Sequence, residues 1–326
     1  MNGNPGTSRR QFVSACSVAL GAGVVGRATY SSAASMDRTP TIPGPVANPR
    51  TPKLKLPPGA CDCHAHVFGP QTKFDYIPDA AYIPPDAPVD AYVRLLKHLG
   101  CSRAVLVQPS VYGTDHTAML DAMKSAKFDF RGVAVVRRDV TPPEIEKLHA
   151  AGFRGIRING LSKNAGLPLE IAPKLADLIK PFGWHLQFFL SIEKLEDANE
   201  RLGKLPVNVV IDHFGAFDAT KGVEGPGFRR LLKLMERENV WVKLSGLYQI
   251  FKTPVKAEQV KPFVERMLEV SNDRLIWGTD WPHPTAAWIP DDGDLVDMLP
   301  DWVPDHQVRT KILVTNPERL YGFGRT

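Results

Sequence analysis

Cysteine is scarce in this sequence, with four residues in a chain of 326. So few cysteines exclude the small secreted folds that depend on a framework of disulfides. Long apolar runs are also missing, because nothing beyond the N-terminal segment approaches the roughly 20 residues that a membrane-spanning helix needs. With 43% hydrophobic and 23% charged residues and a mean hydropathy of −0.17, the composition is that of a globular chain.

The charge balance shows little excess of one sign, and that excess is local. The formal net charge is +5, but residues 1–34 contain Arg9, Arg10 and Arg27 and no acidic residue. Without those three arginines the net charge falls to +2. No basic cluster or array of stacking side chains follows, so the sequence gives no support for a nucleic-acid partner or a membrane-surface role.

Residues 1–34 have the form of an export signal. The pair Arg9 and Arg10 stands just before Phe12, a weakly apolar run occupies 13–25, and small residues suited to cleavage occupy 32–34. This order is typical of a twin-arginine signal peptide. An ordinary amphipathic helix with a chance pair of arginines is the alternative. We predict that the twin-arginine machinery exports the chain to the periplasm, with no stable membrane insertion after processing.

Proline is frequent in the next segment, and the alternation of predicted strands and helices begins only after it. Residues 35–59 are rich in proline and are predicted to form a linker or extended arm. Residues 60–326 are predicted to form one folded domain.

Within that domain, short apolar runs alternate with amphipathic stretches. Eight runs are predicted to be strands: 60–68, 103–108, 131–136, 155–158, 185–189, 207–212, 240–244 and 274–277. Helices are predicted between them, including 90–99, 118–126, 143–151, 193–202, 228–236 and 257–270. This alternation predicts an α/β fold, a (β/α)8 TIM barrel. A doubly wound open sheet is the alternative, but it would favour a glycine-rich phosphate turn after the first strand, and the sequence has none.

The first predicted strand carries two histidines near its end. Strand alternation places Asp62, His64 and His66 on one face and Cys61 and Cys63 on the other, toward the helices. Two imidazoles at the mouth of a barrel suit either metal ligation or hydrogen-bond donation to a substrate oxygen.

Two more polar residues stand at strand ends further along the chain. His213 follows the sixth predicted strand, and Asp280 follows the eighth. Because catalytic groups of TIM barrels gather at the carboxyl ends of the strands, we expect His64, His66, His213 and Asp280 to meet in one functional site.

These four positions resemble the amidohydrolase superfamily, which has His-x-His after strand one, a histidine after strand six and an aspartate after strand eight. Other segments are similar to its 2-pyrone-4,6-dicarboxylate lactonase branch: 66–70, 112–115, 154–157, 211–213, 277–284, 289–293 and 314–321. They follow one another in the same order, so the resemblance covers the whole predicted domain.

The resemblance implies that the protein opens a lactone by hydrolysis, within the breakdown of aromatic compounds. Asp280 would be the general base for the attacking water. The three histidines would donate hydrogen bonds to the carbonyl oxygen, or would join Asp280 in holding one Zn²⁺ that polarises it. Two-metal relatives carry a carboxylated lysine after strand four, where this sequence has Arg157 and Asn159. We therefore predict no metal, or one divalent ion.

The branch acts on a dicarboxylate, which requires cationic anchors. Arg157 is our candidate for bidentate contact with a carboxylate, and a structural ion pair is the alternative. Three positions depart from the branch: Lys163 and Gln249 stand where arginines are expected, and Phe189 where a tyrosine is expected. Since lysine cannot reproduce the bidentate geometry, we expect a related lactone with one carboxylate or a differently placed second acid.

Five further residues are candidates for the substrate pocket. Tyr76 and Tyr82 lie in the loop after the first strand and Tyr112 in the loop after the second, where packing roles are the alternative. Gln108 and Ser110 end the second strand and offer polar contacts.

Two other functions fit the same sequence features. A metal-dependent decarboxylase of an aromatic or unsaturated carboxylic acid uses the same scaffold and the same site residues, but needs its metal. A periplasmic solute-binding protein would bind a ligand without turnover.

Overall fold

All eight predicted strands form. The computed structural model describes residues 39–161 and 166–324, and the strands are β1 Cys61–Ala65, β2 Arg103–Val107, β3 Asp129–Ala134, β4 Phe153–Asn159, β5 His185–Phe189, β6 Val209–Ile211, β7 Val240–Leu244 and β8 Leu275–Trp277. Each strand pairs in parallel with the next, from β1 to β8. The ring returns to its start through a parallel bridge between Ala65 and Trp281. The result is a nearly closed, eight-stranded parallel barrel of the TIM type.

Helices follow most of the strands. They are α1 Val89–Leu99, α2 Thr117–Ser125, α3 Pro142–Ala150, α4 Ala172–Ile179, α5 Ala198–Arg201, α6 Pro226–Met235, α7 Ala257–Val270, α8 Asp292–Asp297, α9 Leu299–Trp302, α10 His306–Thr310 and α11 Asn316–Tyr321. The helix expected over 193–202 is wrong in extent. A 3₁₀ turn at Ile192–Lys194 precedes the single turn of α5, because the backbone at Leu195, with φ −108° and ψ 83°, leaves the helical region between them.

Alternate strand positions separate into two apolar layers. Outward-facing residues such as Leu106, Ile156 and Val242 pack with helical side chains. The inner layer fills the barrel with Cys61, Cys63, Val105, Val107, Val133, Val210, Trp241 and Ile276. Leu320, Tyr321 and Phe323 join that layer. Tyr321 contacts the ring of His185, which begins β5, so these residues close the amino end of the barrel and leave the carboxyl end for polar groups.

Strand β1 does not keep the regular alternation that the sequence suggests. Its pairing with β2 shifts register between Asp62 and Ala65, which is a β-bulge. The expectation that Cys61 and Cys63 face the helices is wrong, since both belong to the inner layer. The extra residue of the bulge lets Cys63 and His64 both turn inward.

Asp62 correspondingly lies away from the two histidines. Its carboxylate accepts hydrogen bonds from Tyr92 of α1 at 2.9 Å and from the Thr279 hydroxyl at 2.6 Å. Asp62 therefore ties β1 to a helix and to the segment after β8. The prediction that it shares a face with His64 and His66 is wrong.

Residues 39–59 form no helix or strand and are hydrogen-bonded to the barrel. The backbone N–H of Arg50 donates to Asp291 at 3.0 Å, and that of Lys53 donates to Asp297 at 2.7 Å. Ile42 donates to the carbonyl of Ile83, in the loop between β1 and α1, at 3.1 Å. No helix within the described ranges is long and apolar enough to cross a membrane. The predicted signal at 1–34 lies outside those ranges.

Candidate active site

Asp280 lies at the centre of three imidazoles. Its Oδ1 atom is 3.5 Å from Nε2 of His64 and 3.5 Å from Nε2 of His66, and its Oδ2 atom is 3.7 Å from Nε2 of His213. All four side chains are buried. Strands β1, β6 and β8 thus bring together the four residues that the sequence places at their carboxyl ends.

The backbone at two of these residues adopts the left-handed conformation. His213 has φ 50° and Asp280 has φ 64°, values that cost a non-glycine residue about 1 kcal/mol or more. Gly246 makes room beside them, since a Cβ atom there would lie 2.5 Å from His213 Nδ1. Strained backbone and a glycine in close contact are features of a site shaped for function.

Neighbouring groups orient the rings of His66 and His213. Nδ1 of His66 lies 2.7 Å from the carbonyl oxygen of Val107, which can only accept, so Nδ1 carries the proton and Nε2 presents a lone pair. Nδ1 of His213 lies 3.0 Å from Oγ of Ser245. Burial lowers the pKa of His213 below 6.5, so its imidazole is neutral near pH 7.

Tyr248 holds the other oxygen of the central carboxylate. Its hydroxyl donates to Oδ2 of Asp280 at 2.5 Å, whereas Oδ1 is buried without a hydrogen-bond partner. Burial alone would raise the pKa of Asp280, but the imidazoles of His213, His64 and His66 outweigh burial and hold that pKa well below 3.8. Asp280 is therefore an ionised carboxylate whose Oδ2 accepts a hydrogen bond from Tyr248 and whose Oδ1 accepts none.

A buried polar network lies behind His64. Asp212 accepts hydrogen bonds from Nε of Arg157 at 3.1 Å and from Gln187 at 3.0 Å. Lys243 donates to Gln187 at 2.8 Å, and its Nζ lies 3.2 Å from Nδ1 of His64. Burial would raise the pKa of Asp212, but Lys243, His64 and Arg157 hold it well below 3.8. Side chains from four strands, β1, β4, β5 and β7, and Asp212 just after β6 thus form one network of polar contacts behind His64.

Above these groups opens a cavity of about 300 Å³. Asp280, His66 and His213 line it, and so do Arg157 and the ring of Phe189. The guanidinium of Arg157 lies over that ring at 5.0 Å from its centre. Among the described lining residues Arg157 is the one cation, so the cavity has one positive charge beside Asp280 and the histidines.

The structure separates the predicted pocket residues into two sets. Arg157, Tyr82 and Ser110 line the cavity, as do Gln249 and Phe189 at the positions that depart from the branch. Burial raises the pKa of Tyr82 to about 12, so its hydroxyl keeps its proton. The roles of these residues in binding stay predictions.

The second set supports the loops and does not line the cavity. The Tyr112 hydroxyl accepts from the N–H of Gly69 at 2.8 Å, and the Tyr76 ring packs against Tyr112 at 5.1 Å. The Gln108 amide donates to the carbonyl of Asp115 at 2.7 Å, within the loop after β2. Lys163 lies outside the described residues.

Sequence reasoning missed three residues of the site: Tyr248, Lys243 and Asp212. A signal existed for Lys243, because a single charged residue interrupts the buried run Val240–Leu244. Asp212 stands directly before His213 at a strand end. Nothing in the sequence marked Tyr248, which comes close to Asp280 only because β7 and β8 are neighbours.

The donor atoms could also hold a divalent cation. His64, His66 and Asp280 form one group and His64, Asp212 and His213 another, with ligand atoms within 4.8 Å of one another. Metal–ligand distances near 2.1 Å and tetrahedral angles separate ligand atoms by about 3.4 Å, close to the spacing in the first group. The distances in the first group therefore fit a metal ion. The histidines can bind that ion only if Nε2 of each ring carries a lone pair, as it does in His66.

We expect that replacing Tyr248 with phenylalanine, which removes only the hydroxyl, lowers kcat by about 10- to 100-fold and changes KM little. The reason is that a hydrogen bond to a charged group contributes about 1.5–3 kcal/mol, and without it the carboxylate of Asp280 can rotate. Steady-state kinetics measure this split. Tyr92→Phe is the matched control, because it removes a similar bond to the buried Asp62 away from the cavity. Equal kcat values for Tyr248→Phe and the wild type would show that this bond does not orient Asp280.

The sequence also matches known proteins over most of its length. The amidohydrolase family pattern matches residues 61–323. A 2-pyrone-4,6-dicarboxylate hydrolase of Comamonas testosteroni is 40% identical over 296 residues, which are 87% of this chain and 97% of that protein. A 4-sulfomuconolactone hydrolase of Hydrogenophaga intermedia is 34% identical over 88% of this chain and 97% of its own length.

Solved structures share the fold. A probable 2-pyrone-4,6-dicarboxylic acid hydrolase from Acinetobacter baumannii, solved with citric acid bound, is 32% identical with a TM-score of 0.73, and covers 81% of this chain and all of that one. A more distant amidohydrolase from Burkholderia multivorans, 16% identical with a TM-score of 0.64 over 81% of this chain and 99% of its own, was solved with zinc bound. The agreement of barrel, strand-end residues and sequence shows that this chain belongs to the amidohydrolase family.

Proposed function

We propose that this protein is a lactonase that opens the ester bond of a small carboxylated lactone, similar to 2-pyrone-4,6-dicarboxylate or a muconolactone. The observation that carries the proposal is the unpartnered Oδ1 atom of Asp280. This buried, ionised oxygen faces two imidazoles at the floor of a cavity whose wall carries Arg157. The relatives named for lactone hydrolysis support the same reaction class.

In the proposed mechanism Asp280 acts as the general base. A water molecule beside Oδ1 gives one proton to the carboxylate and directs the other to the lone pair on Nε2 of His66. The water oxygen then bonds to the carbonyl carbon of the lactone, and the carbonyl oxygen becomes an oxyanion. The ester C–O bond breaks as this intermediate collapses, and the leaving ring oxygen takes the proton from Asp280. The products are an open-chain carboxylic acid and a hydroxyl or enol group.

The oxyanion needs hydrogen-bond donors. His213 lines the cavity and His64 lies behind Asp280, and both are neutral imidazoles because burial lowers their pKa values below 6.5. A neutral imidazole donates one N–H without adding a charge that must be neutralised later in the reaction.

Arg157 is the proposed anchor for the substrate carboxylate. Its Nε atom is taken by Asp212, which fixes the plane of the guanidinium and leaves the two terminal amino groups for a carboxylate. Because Arg157 is the one cation among the described lining residues, a lactone with a single carboxylate fits this wall. Gln249 and Asn159 offer neutral polar contacts to the rest of the molecule.

We propose that no metal is required. When present, a divalent ion held by His64, His66 and Asp280 would polarise the substrate carbonyl.

The experiment that tests the function is a panel of carboxylated lactones and unsaturated carboxylic acids, assayed after dialysis against a chelator and after metal is restored. We expect ring opening of a carboxylated lactone that survives metal removal. Release of CO₂ only with metal would instead identify a decarboxylase, and binding without turnover a solute-binding protein.

The pH profile follows from the state of the site. The base must be ionised to act, and the pKa of Asp280 lies below 3.8, so activity does not fall until the pH drops below that region. Burial lowers the pKa values of His64 and His213 below 6.5, so both rings are neutral at pH 7 and above. We expect kcat/KM for the lactone to be flat between about pH 7 and pH 8. A value of kcat/KM that rises about tenfold between about pH 7 and pH 8 would show that the essential base titrates there and would contradict the assignment to Asp280.

We also propose export through the twin-arginine pathway, which rests on Arg9, Arg10 and the apolar run after them. Changing both arginines to lysine keeps the charge but removes the paired signal. We expect the wild-type chain in the periplasmic fraction of its host and the variant in the cytoplasm at precursor length. Equal periplasmic amounts of the two would contradict the proposal.

A further inference from the structure

Lys243 is a buried amine that the proposed mechanism does not use. It lies on β7 with no exposed surface. Its Nζ atom is 2.8 Å from Oε1 of Gln187, 3.2 Å from Nδ1 of His64 and 3.4 Å from Oδ1 of Asp212. Burying an amine costs free energy unless its hydrogens find partners, so its contact with His64 points to a role for Lys243 in the site.

The contact with His64 decides where that ring carries its proton. An amine donates through its own hydrogens, and the line from Nζ to Nδ1 of His64 has the geometry of a hydrogen bond. Oδ1 of Asp212 also lies 3.3 Å from Nδ1, but these two atoms are not aligned as a hydrogen bond. A lone pair on Nδ1 accepts the aligned bond from Lys243, whereas a proton on Nδ1 would point against that donor.

With its lone pair on Nδ1, the neutral ring carries its proton on Nε2. That atom is buried without a partner and lies 3.5 Å from Oδ1 of Asp280, itself without a partner. His66 has the opposite arrangement, because its Nδ1–H donates to the carbonyl oxygen of Val107. The two histidines of the His-x-His pair are thus different groups, a donor at His64 and an acceptor at His66, on either side of the same reactive oxygen.

We propose that Lys243 is a positioning residue, which sets His64 as the tautomer protonated on Nε2 and so keeps a hydrogen-bond donor directed at Oδ1 of Asp280 and at the oxygen atom that it activates. The catalytic importance of that donor rests on the proposed lactonase function. The same tautomer offers no lone pair on Nε2, so His64 would bind an ion through Nε2 only after its proton had moved to Nδ1.

Nitrogen NMR of ring-labelled histidine reads the tautomer directly in the full chain, with the His64 signals assigned by their loss in His64→Asn. We expect wild-type His64 to carry its proton on Nε2 and His66 on Nδ1. In Lys243→Met, which keeps the length of the side chain but removes the donor, we expect the His64 proton to move to Nδ1, toward Asp212. We expect kcat for the lactone to fall about 100-fold, the usual cost of losing one such donor, with KM changed less than about threefold.

Arg103→Met is the matched control, since it removes a buried cation that pairs with Glu318 at the amino end of the barrel. We expect it to lower thermal stability and to leave the tautomer and kcat unchanged. A wild-type His64 protonated on Nδ1 overturns the proposal, even if Lys243→Met does not fold. A Lys243→Met protein that loses kcat with its tautomer unchanged overturns it as well, because the effect is then structural. The NMR result needs no turnover, so it stands apart from a failure of the lactonase assignment.

Discussion

Asp280→Asn is expected to lower kcat for lactone ring opening by about a thousandfold, within the range that general base catalysis contributes. Asparagine has nearly the same shape and can still accept from Tyr248, but its amide cannot take the proton from water. Substrate binding should persist, because the carboxylate of the lactone contacts Arg157 and not Asp280. Stopped or steady-state kinetics give kcat, and calorimetry with the variant gives the binding constant.

Asp305→Asn provides the control for this change. Asp305 caps α10 by accepting from two backbone N–H groups, and asparagine caps helices equally well. That variant should match the wild type in kcat and in thermal stability. An Asp280→Asn enzyme that still hydrolysed lactone at the wild-type rate would remove Asp280 from the role of base.

Arg157→Lys is expected to lower kcat/KM about 100-fold, mainly by raising KM. Lysine keeps the positive charge but cannot contact a carboxylate through two parallel N–H groups, and it also gives up the bond from Nε to Asp212. The comparison that isolates the carboxylate uses the methyl ester of the same lactone, for which wild type and variant should differ far less.

Arg154→Lys on the same strand is the matched control. Its guanidinium donates to the backbone carbonyls of His149 and Phe153 outside the cavity. We expect its KM to equal that of the wild type. If Arg157→Lys lowered turnover of the acid and of the ester by the same factor, Arg157 would act as a structural partner of Asp212 and not as the anchor.

Local pattern predicted the barrel because strand alternation and helix periodicity are properties of short segments. The same reasoning placed His213 and Asp280 in the site, since a residue that follows a parallel strand lies at the carboxyl end whatever its partners are. Eight strands and the convergence of four side chains follow from these two rules.

The features that the sequence did not predict depend on contacts between segments that are distant along the chain. The bulge in β1 arises from its register against β2, so neither the outward position of Asp62 nor the inward position of Cys63 could be predicted from β1 alone. Tyr248 and Lys243 belong to the site through contacts with β8 and β1. Such contacts depend on side-chain packing across the barrel, which alternation along one strand does not encode.

The most direct test of the account is the fate of solvent oxygen during ring opening of a carboxylated lactone by the chelator-treated enzyme in H₂¹⁸O. Attack of a water activated by Asp280 on the ring carbonyl predicts one ¹⁸O atom in the newly formed carboxylate and none in the released hydroxyl, with all carbon retained. Mass spectrometry of the product reads both positions. Label in the hydroxyl, loss of CO₂, or ring opening only after metal is restored would contradict hydrolysis by the carboxylate and histidines of this site.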